Sequence, residues 1–274
     1  MLKQLFKKVL RCILYAVVIL GIFYYVSFKI QSTERVNTKG QYTIQLSNNN
    51  EKQDKKVYKD NTSLDDKNYV KANYNKYMEI YNNNKDTLIL ANRDTPLPTD
   101  YKPSLRHICN GRLEASNELY SSLVQMLADA KLQGYTYWIS SAYRSAEKQQ
   151  KLVDEDVYTC MANGMSYNDA LEEVYKETMP AGCSEHQTGL ALDILCSGNS
   201  VMDASQKDEP GNKWLRKNCY KYGFILRYPE DKSGITGINF EPWHFRYVGK
   251  EAAKFIMKSG ITLEEFHMAL EQNI

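Results

Sequence analysis

The segment SEHQTGLALD, residues 184–193, governs how the rest of the chain is interpreted. It places a histidine, a glycine and an aspartate around a run of alternating apolar residues, 190–194, which predicts a strand. His186 and Asp193 differ by seven positions, so they would point to opposite faces of a flat strand. The chain must therefore turn between them. Gly189 is the natural position for that turn, because glycine adopts positive φ without steric cost.

A second histidine stands in the segment EPWHF, residues 241–245, and the whole chain contains only four histidines. Together His186, Asp193 and His244 offer two imidazole nitrogens and one carboxylate oxygen. Catalytic zinc accepts this set of ligands and keeps a fourth position for water. Glu241 precedes His244 by three positions, with a proline between them that favours extended backbone. This spacing predicts a carboxylate beside the metal that acts as a general base rather than as a ligand.

Helix and strand patterns alternate along the chain without the regular rhythm of a parallel sheet. Helical patterns occur at 114–133, from about 146, at 166–177, at 214–222, and from Lys250 and Thr262 to the end. Strand patterns occur at 135–140, 190–194, 224–228 and 245–248. These patterns predict an α+β fold with a mainly antiparallel sheet flanked by helices, formed by residues 87–274.

An uncharged stretch of seventeen residues from Cys12 to Phe28 predicts a transmembrane helix. Four basic residues precede it and Lys29 alone follows directly, so the positive-inside rule exports the remainder. A cleaved signal peptide is the alternative, but aromatic residues fill the region of the cleavage site. We predict an anchor over 1–30, then a polar tether over 31–86 in which a short helix at 66–81 is allowed. The protein would be a single-pass protein of the cell membrane with an extracytoplasmic domain.

Six cysteines occur, and five of them follow the predicted anchor. An odd number in an oxidising compartment permits at most two disulfides. A bridge between Cys183 and Cys196 would brace the metal-binding segment, and a bridge between Cys160 and Cys219 is a second option. Buried free thiols are the alternative. No CxxC spacing occurs, so a cysteine-ligated zinc site is not expected.

The composition is that of an ordinary globular protein, with 43% hydrophobic and 25% charged residues and a net charge of +2. A basic stripe with interleaved aromatic residues is missing from the sequence, so we expect no nucleic acid partner. A monomer is expected.

Three segments resemble the signature motifs of the D-alanyl-D-alanine carboxypeptidases of the vancomycin-resistance type, peptidase family M15. They are SEHQTGLALD, EPWHF and SAYRSAEKQ, the last at residues 141–149. The run TLILANRDTPLPTDYKPSL, which begins at Thr87, is similar to the opening segment of that domain. The resemblance covers residues 87–272 and implies the fold group of lysostaphin-type peptidases and the hedgehog signalling domain. Ala142 departs from the family, which more often has glycine there.

The resemblance implies a zinc enzyme whose central residues are the Zn2+ ligands His186, Asp193 and His244 and the catalytic base Glu241. It implies that Arg144 polarises the scissile carbonyl or holds the substrate carboxylate. The chemistry of a guanidinium fork at the end of a strand agrees with this role. By the same resemblance, the residues that would line the substrate pocket are Tyr143, Gln149 and Ser184. Trp243, next to a ligand, is either a core residue or a further wall of the pocket.

The implied activity is release of C-terminal D-alanine from peptidoglycan stem peptides by a metallo-carboxypeptidase that needs no serine. The same motifs leave open an L,D-carboxypeptidase acting on tetrapeptide stems. They also leave open a zinc-bearing binding module without catalysis. A dipeptidase, an endopeptidase or a phage-type wall lysin fits the sequence less well.

Overall fold

The computed structural model describes residues 64–271, with side chains from residue 74 onward. The predicted anchor over residues 1–30 and the first part of the predicted tether lie outside this range. Within the described range, none of the helices combines the length and apolar character that crossing a bilayer would require.

Six strands form two antiparallel sheets in the described part of the chain. They are β1 (Leu105–Ile108), β2 (Leu113–Ser116), β3 (Tyr137–Ser141), β4 (Ala191–Cys196), β5 (Phe224–Leu226) and β6 (His244–Tyr247). The first two form a hairpin, and the others form a four-stranded sheet in the order β3-β4-β6-β5. This arrangement, with the helices around it, confirms the predicted α+β class and its antiparallel sheet.

Eight α-helices accompany the strands in the same range. They are α1 (Leu64–Asn83), α2 (Tyr120–Leu132), α3 (Ala146–Ala162), α4 (Tyr167–Val174), α5 (Pro210–Asn218), α6 (Ser233–Thr236), α7 (Lys250–Ser259) and α8 (Leu263–Glu271). Local hydrogen bonds explain where several of them begin. The Ser145 hydroxyl accepts from the Lys148 backbone N–H, and Thr262 and Glu265 exchange two bonds as a capping box.

The helix predicted from residue 114 begins later in the structure, at Tyr120. Residues 113–116 pair with β1 instead, in a register that places Glu114 opposite His107. The Ser116 hydroxyl then accepts from the Glu118 N–H and starts a short 3-10 turn before α2. Strand pairing across the hairpin therefore overrides the helical pattern at this end.

Helix α1 lies inside the range assigned to the polar tether, where the sequence allowed a shorter helix. Its Ile80 is fully buried in a cluster that includes Leu88, Ile256 and Phe266. The ring of Tyr77 also packs edge-on against a phenylalanine of α7, with 4.9 Å between centroids. The packed part of the chain therefore extends upstream of residue 87.

The main core lies on one face of the central sheet. Leu192 and Ile194 of β4 are fully buried there, in one cluster with Phe245 of the neighbouring strand and residues of α2 and α5. Because side chains alternate along a strand, Asp193 points to the opposite face. Every residue of β4 is nevertheless buried, so that second face is covered as well.

The cysteines of the described residues are all free thiols. The expected bridges between Cys183 and Cys196 and between Cys160 and Cys219 are therefore wrong. Cys183 packs in a small cluster with Met179, whereas Cys196 ends β4. Cys160 packs on the cluster between α3 and α4, whereas Cys219 belongs to the main core. The sequence could not show that the two cysteines of each pair lie in separate parts of the fold.

Gly189 carries the turn that the sequence requires, with φ of 69° at the end of the 3-10 helix Glu185–Thr188. A Cβ atom there would lie 2.8 Å from a Leu105 methyl group and 2.9 Å from the Ser116 backbone nitrogen.

We expect Gly189→Ala to destabilise the domain by more than about 2 kcal/mol, because the backbone clash adds to the cost of left-handed φ. Urea unfolding measures this loss. Gly260→Ala is the matched control. Gly260 has a similar φ of 65°, but a Cβ atom added there would meet nothing within 4 Å. Equal losses in both variants would contradict the role of close packing.

Candidate functional site

Three neighbouring strands bring the sequence motifs side by side. Asp193 on β4 pairs with His244 at the start of β6 and, on its other side, with Ser141 at the end of β3. Residues directly opposite in an antiparallel pair have Cβ atoms only about 5 Å apart. His186 comes from the 3-10 helix that precedes the Gly189 turn. All three predicted metal ligands therefore lie at one end of the sheet.

The three predicted ligands form a group in which the ligand atoms lie within 4.8 Å of one another. His186 Nε2 lies 3.3 Å from Asp193 Oδ2, and His244 Nδ1 lies 3.4 Å from Asp193 Oδ1. All three side chains are buried, and Asp193 Oδ1 has no hydrogen-bond partner in the described part of the chain. Burial alone would raise the pKa of Asp193. The two neighbouring histidines have the larger combined effect, so the pKa of Asp193 lies below its usual range. An ionised carboxylate between two imidazoles fits a divalent cation such as zinc.

The hydrogen bond of His186 on its other side fixes which nitrogen faces Asp193. His186 Nδ1 lies 2.7 Å from the backbone oxygen of Ala142. A carbonyl oxygen only accepts, so Nδ1 must carry the hydrogen, and Nε2 keeps its lone pair for a metal. The departure from glycine at residue 142 is harmless to this contact, because the contact uses the backbone.

Glu241 lies beside the three ligands, as its spacing predicts. Its Oε2 is 3.3 Å from His244 Nδ1, and its side chain is buried. A turn joins the two residues, since the His244 N–H donates to the Glu241 carbonyl at 3.2 Å. Burial raises the pKa of Glu241 to about 7, although the neighbouring His244 ring opposes the rise. A carboxylate with a pKa near neutrality can take up and return a proton.

Arg144 lines the same cavity as the predicted ligands. Its guanidinium donates to Gln149 Oε1 at 2.7 Å and to Ser141 Oγ at 2.9 Å. Gln149 is buried and is held in turn by the Met179 carbonyl, to which its amide donates at 2.6 Å. These bonds fix the guanidinium fork, so that its remaining N–H groups can bind a carboxylate or a developing oxyanion.

The other predicted pocket residues divide into two groups. Ser184 and Trp243 line the cavity together with Gln149. Tyr143 is absent from its lining, and its backbone N–H donates to the Glu114 carbonyl of the hairpin instead. Further walls come from residues that the sequence analysis did not select, among them Leu152, Glu177, Met179, Met202, Tyr228 and Ile238.

Glu185 is a functional candidate that the sequence analysis missed. Its side chain is fully buried, and its Oε1 accepts from Arg227 Nε and Arg246 Nη1, both at 2.7 Å. Burial alone would raise the pKa of Glu185. The two arginines have the larger combined effect, so the pKa of Glu185 lies below its usual range. The two arginines are the feature of the sequence that could have indicated this buried site. Each follows apolar residues in a strand pattern, and charged side chains are rarely buried without a partner.

Comparison with known proteins identifies the family of the chain. Residues 112–250 match the family model VanY, described as D-alanyl-D-alanine carboxypeptidase. A D-alanyl-D-alanine carboxypeptidase of Enterococcus faecalis is 41% identical over 186 residues, which cover 66% of this chain and 65% of the relative. The match thus spans just under two thirds of that relative's length.

Two solved structures share the fold. The vancomycin resistance D,D-pentapeptidase VanY, a variant in complex with Zn(II), is 38% identical with a TM-score of 0.61. That alignment covers 66% of this chain and 99% of the other. The LdcB LD-carboxypeptidase is 34% identical with a TM-score of 0.58, covering 68% of this chain and 87% of the other. The same fold thus accompanies D,D and L,D activities among the similar proteins.

Proposed function

The chain belongs to the VanY family of D-alanyl-D-alanine carboxypeptidases, and on this premise we propose that it is a zinc-dependent D,D-carboxypeptidase. Its substrates would be peptidoglycan stem peptides, from which it would release the C-terminal D-alanine. One observation carries the proposal. The ligand atoms of His186, Asp193 and His244 lie within 4.8 Å of one another, and the Glu241 carboxylate lies 3.3 Å from the last of them.

Zinc is the metal that this set of ligands suits best. His186 would bind it through Nε2, His244 through Nδ1 and Asp193 through its carboxylate, which leaves a position free as in other catalytic zinc sites. A bound zinc ion supplies Lewis acidity, which polarises a carbonyl group and acidifies water. The similar VanY structure in complex with Zn(II) supports this choice of metal.

Protein side chains supply the proton transfer and the positioning. Glu241 would accept the proton of the attacking water and return it to the departing amine of D-alanine. Arg144, held by Ser141 and Gln149, would bind the free C-terminal carboxylate or polarise the scissile carbonyl. A binding module that keeps zinc for structure alone needs neither group. The presence of Glu241 and Arg144 in one cavity therefore favours an enzyme.

We expect the zinc-loaded protein to release D-alanine from a pentapeptide stem that ends in two D-alanines. The measurement is incubation with defined pentapeptide and tetrapeptide stems, followed by identification of the released product. Cleavage of the tetrapeptide alone would indicate an L,D-carboxypeptidase, and release of the intact D-alanyl-D-alanine unit would indicate a dipeptidase. If protein with zinc bound cleaved neither stem, the enzyme proposal would fail and the binding module would remain. A chelator should stop the reaction, and added zinc should restore it.

We further propose that the chain is anchored in the cell membrane by one N-terminal helix, with its catalytic domain outside. The support is the uncharged stretch from Cys12 to Phe28 with its basic N-terminal flank. An external position would place the domain next to the peptidoglycan. Protease treatment of intact protoplasts tests this topology, because protection of the domain would contradict it.

A further inference from the structure

The two ring nitrogens of His244 face different partners. Nδ1 lies 3.4 Å from Asp193 Oδ1 and 3.3 Å from Glu241 Oε2, whereas Nε2 lies 3.5 Å from Glu185 Oε2. The last distance is at the outer limit of a hydrogen bond. Both Nε2 of His244 and Oε2 of Glu185 are buried and have no hydrogen-bond partner among the residues described. A buried polar atom of this kind needs a partner, and each of the two faces the other.

A network of buried charges holds the Glu185 carboxylate in this orientation. Its Oε1 accepts from both Arg227 and Arg246 at 2.7 Å, so only Oε2 remains to face His244. Arg227 is fixed further by Glu264, to which its Nη1 donates at 2.9 Å. Arg246 donates its Nη2 hydrogens to two backbone carbonyls upstream of β1, at 3.0 and 2.7 Å. Both arginines are at most 1% exposed, which leaves the carboxylate little freedom to rotate.

We propose that Glu185 is a positioning residue of the metal centre, whose Oε2 accepts the Nε2 hydrogen of His244 and leaves the Nδ1 lone pair for zinc. This inference rests on the zinc site of the proposed function. Histidine ligands of zinc commonly donate their second N–H to a carboxylate or a backbone carbonyl. His186 already makes such a contact with the carbonyl of Ala142, at 2.7 Å. The two histidines would thus be oriented by different acceptors and present different nitrogens.

Glutamine at residue 185 would reverse the polarity of this contact. Arginine has donors only, so Arg227 and Arg246 would hold the amide oxygen of the new side chain. The amide N–H2 would then face His244 Nε2, where an acceptor is needed. The imidazole could satisfy that donor only by moving its hydrogen to Nδ1, which blocks the nitrogen that faces Asp193.

The test compares zinc affinity and thermal stability in the full-length chain and two variants. Glu185→Gln should weaken zinc binding about 10- to 100-fold, the usual effect of losing such a partner of a ligand. Glu264→Gln is the matched control, because it also removes a buried carboxylate that binds Arg227 but has no contact with His244. It should lower the melting temperature, but it should weaken zinc binding much less than Glu185→Gln does, because it acts on Glu185 only through Arg227. Competition with a chromophoric chelator measures the affinity.

The outcomes separate this inference from the proposed function. Unchanged zinc affinity in Glu185→Gln would overturn the inference alone, and so would equal loss in both variants. Failure of the unchanged chain to bind zinc would overturn the proposed function as well. Nitrogen NMR of the zinc-loaded, histidine-labelled chain is a separate test, because it does not depend on whether a variant folds. It should find zinc on Nδ1 and hydrogen on Nε2 of His244, and zinc on Nε2 would overturn the inference.

Discussion

Replacement of Glu241 by glutamine should lower kcat about 10²- to 10⁴-fold while the protein keeps its zinc. The amide has the size of the carboxylate and can still form a hydrogen bond, but it cannot accept a proton from water. Glu241 is buried beside His244 and has its pKa raised by burial to about 7, so it is poised for that transfer. The measurement is the rate of D-alanine release together with the zinc content of the purified variant.

Glu177→Gln is the matched control for this experiment. Glu177 lines the same cavity, but its side chain is exposed, and its Oε1 accepts from Asn239 at 3.3 Å. Its loss should change kcat little. If Glu241→Gln kept the full rate, or if both variants lost activity equally, Glu241 would not be the general base.

Asp193→Asn should remove zinc and activity together. The amide has no negative charge to attract the cation, and its N–H2 group would donate to a histidine lone pair that would otherwise bind the metal. Because loss of an outer partner already costs about 10- to 100-fold in metal affinity, loss of a ligand should cost at least about 100-fold. Elemental analysis after dialysis measures the bound zinc, and the peptide assay measures the rate.

The control for this prediction is Asp156→Asn. Asp156 is a partly buried carboxylate that lies 3.3 Å from the Thr178 hydroxyl and is not one of the three clustered ligands. It should keep its zinc. Full zinc content in Asp193→Asn would remove Asp193 from the metal centre, and recovery of the rate in excess zinc would indicate weakened rather than abolished binding.

The clustering of the three predicted ligands could be inferred from the sequence because its chemistry is local to short motifs. His186, Gly189 and Asp193 stand within one segment, and a turn between two side chains on a strand follows from backbone geometry alone. Pairing of Asp193 with His244 is not visible in the sequence, since register depends on which strands become neighbours. The scarcity of histidine made up for that, because few combinations of ligands were possible.

Features that depend on contacts between distant segments were missed. Glu185 meets Arg227 and Arg246, which are 42 and 61 positions away, and no local pattern indicates that three charges share one buried site. The predictions of disulfides were wrong for the same reason, since proximity of two cysteines to one segment does not bring their sulfur atoms together. Tyr143, assigned to the pocket through its neighbours in the motif, is not among the residues that line the described cavity, and its backbone N–H donates to the Glu114 carbonyl.

The packing of α1 has a practical consequence for producing the protein without its first residues. A shortened chain that starts at residue 87 would lack Ile80 and leave Phe266 and Ile256 uncovered on its surface. Exposed apolar patches of this kind promote aggregation. Such a chain could then be judged inactive or insoluble for reasons unrelated to its chemistry. Truncation should therefore begin no later than Leu64, so that the whole helix is retained.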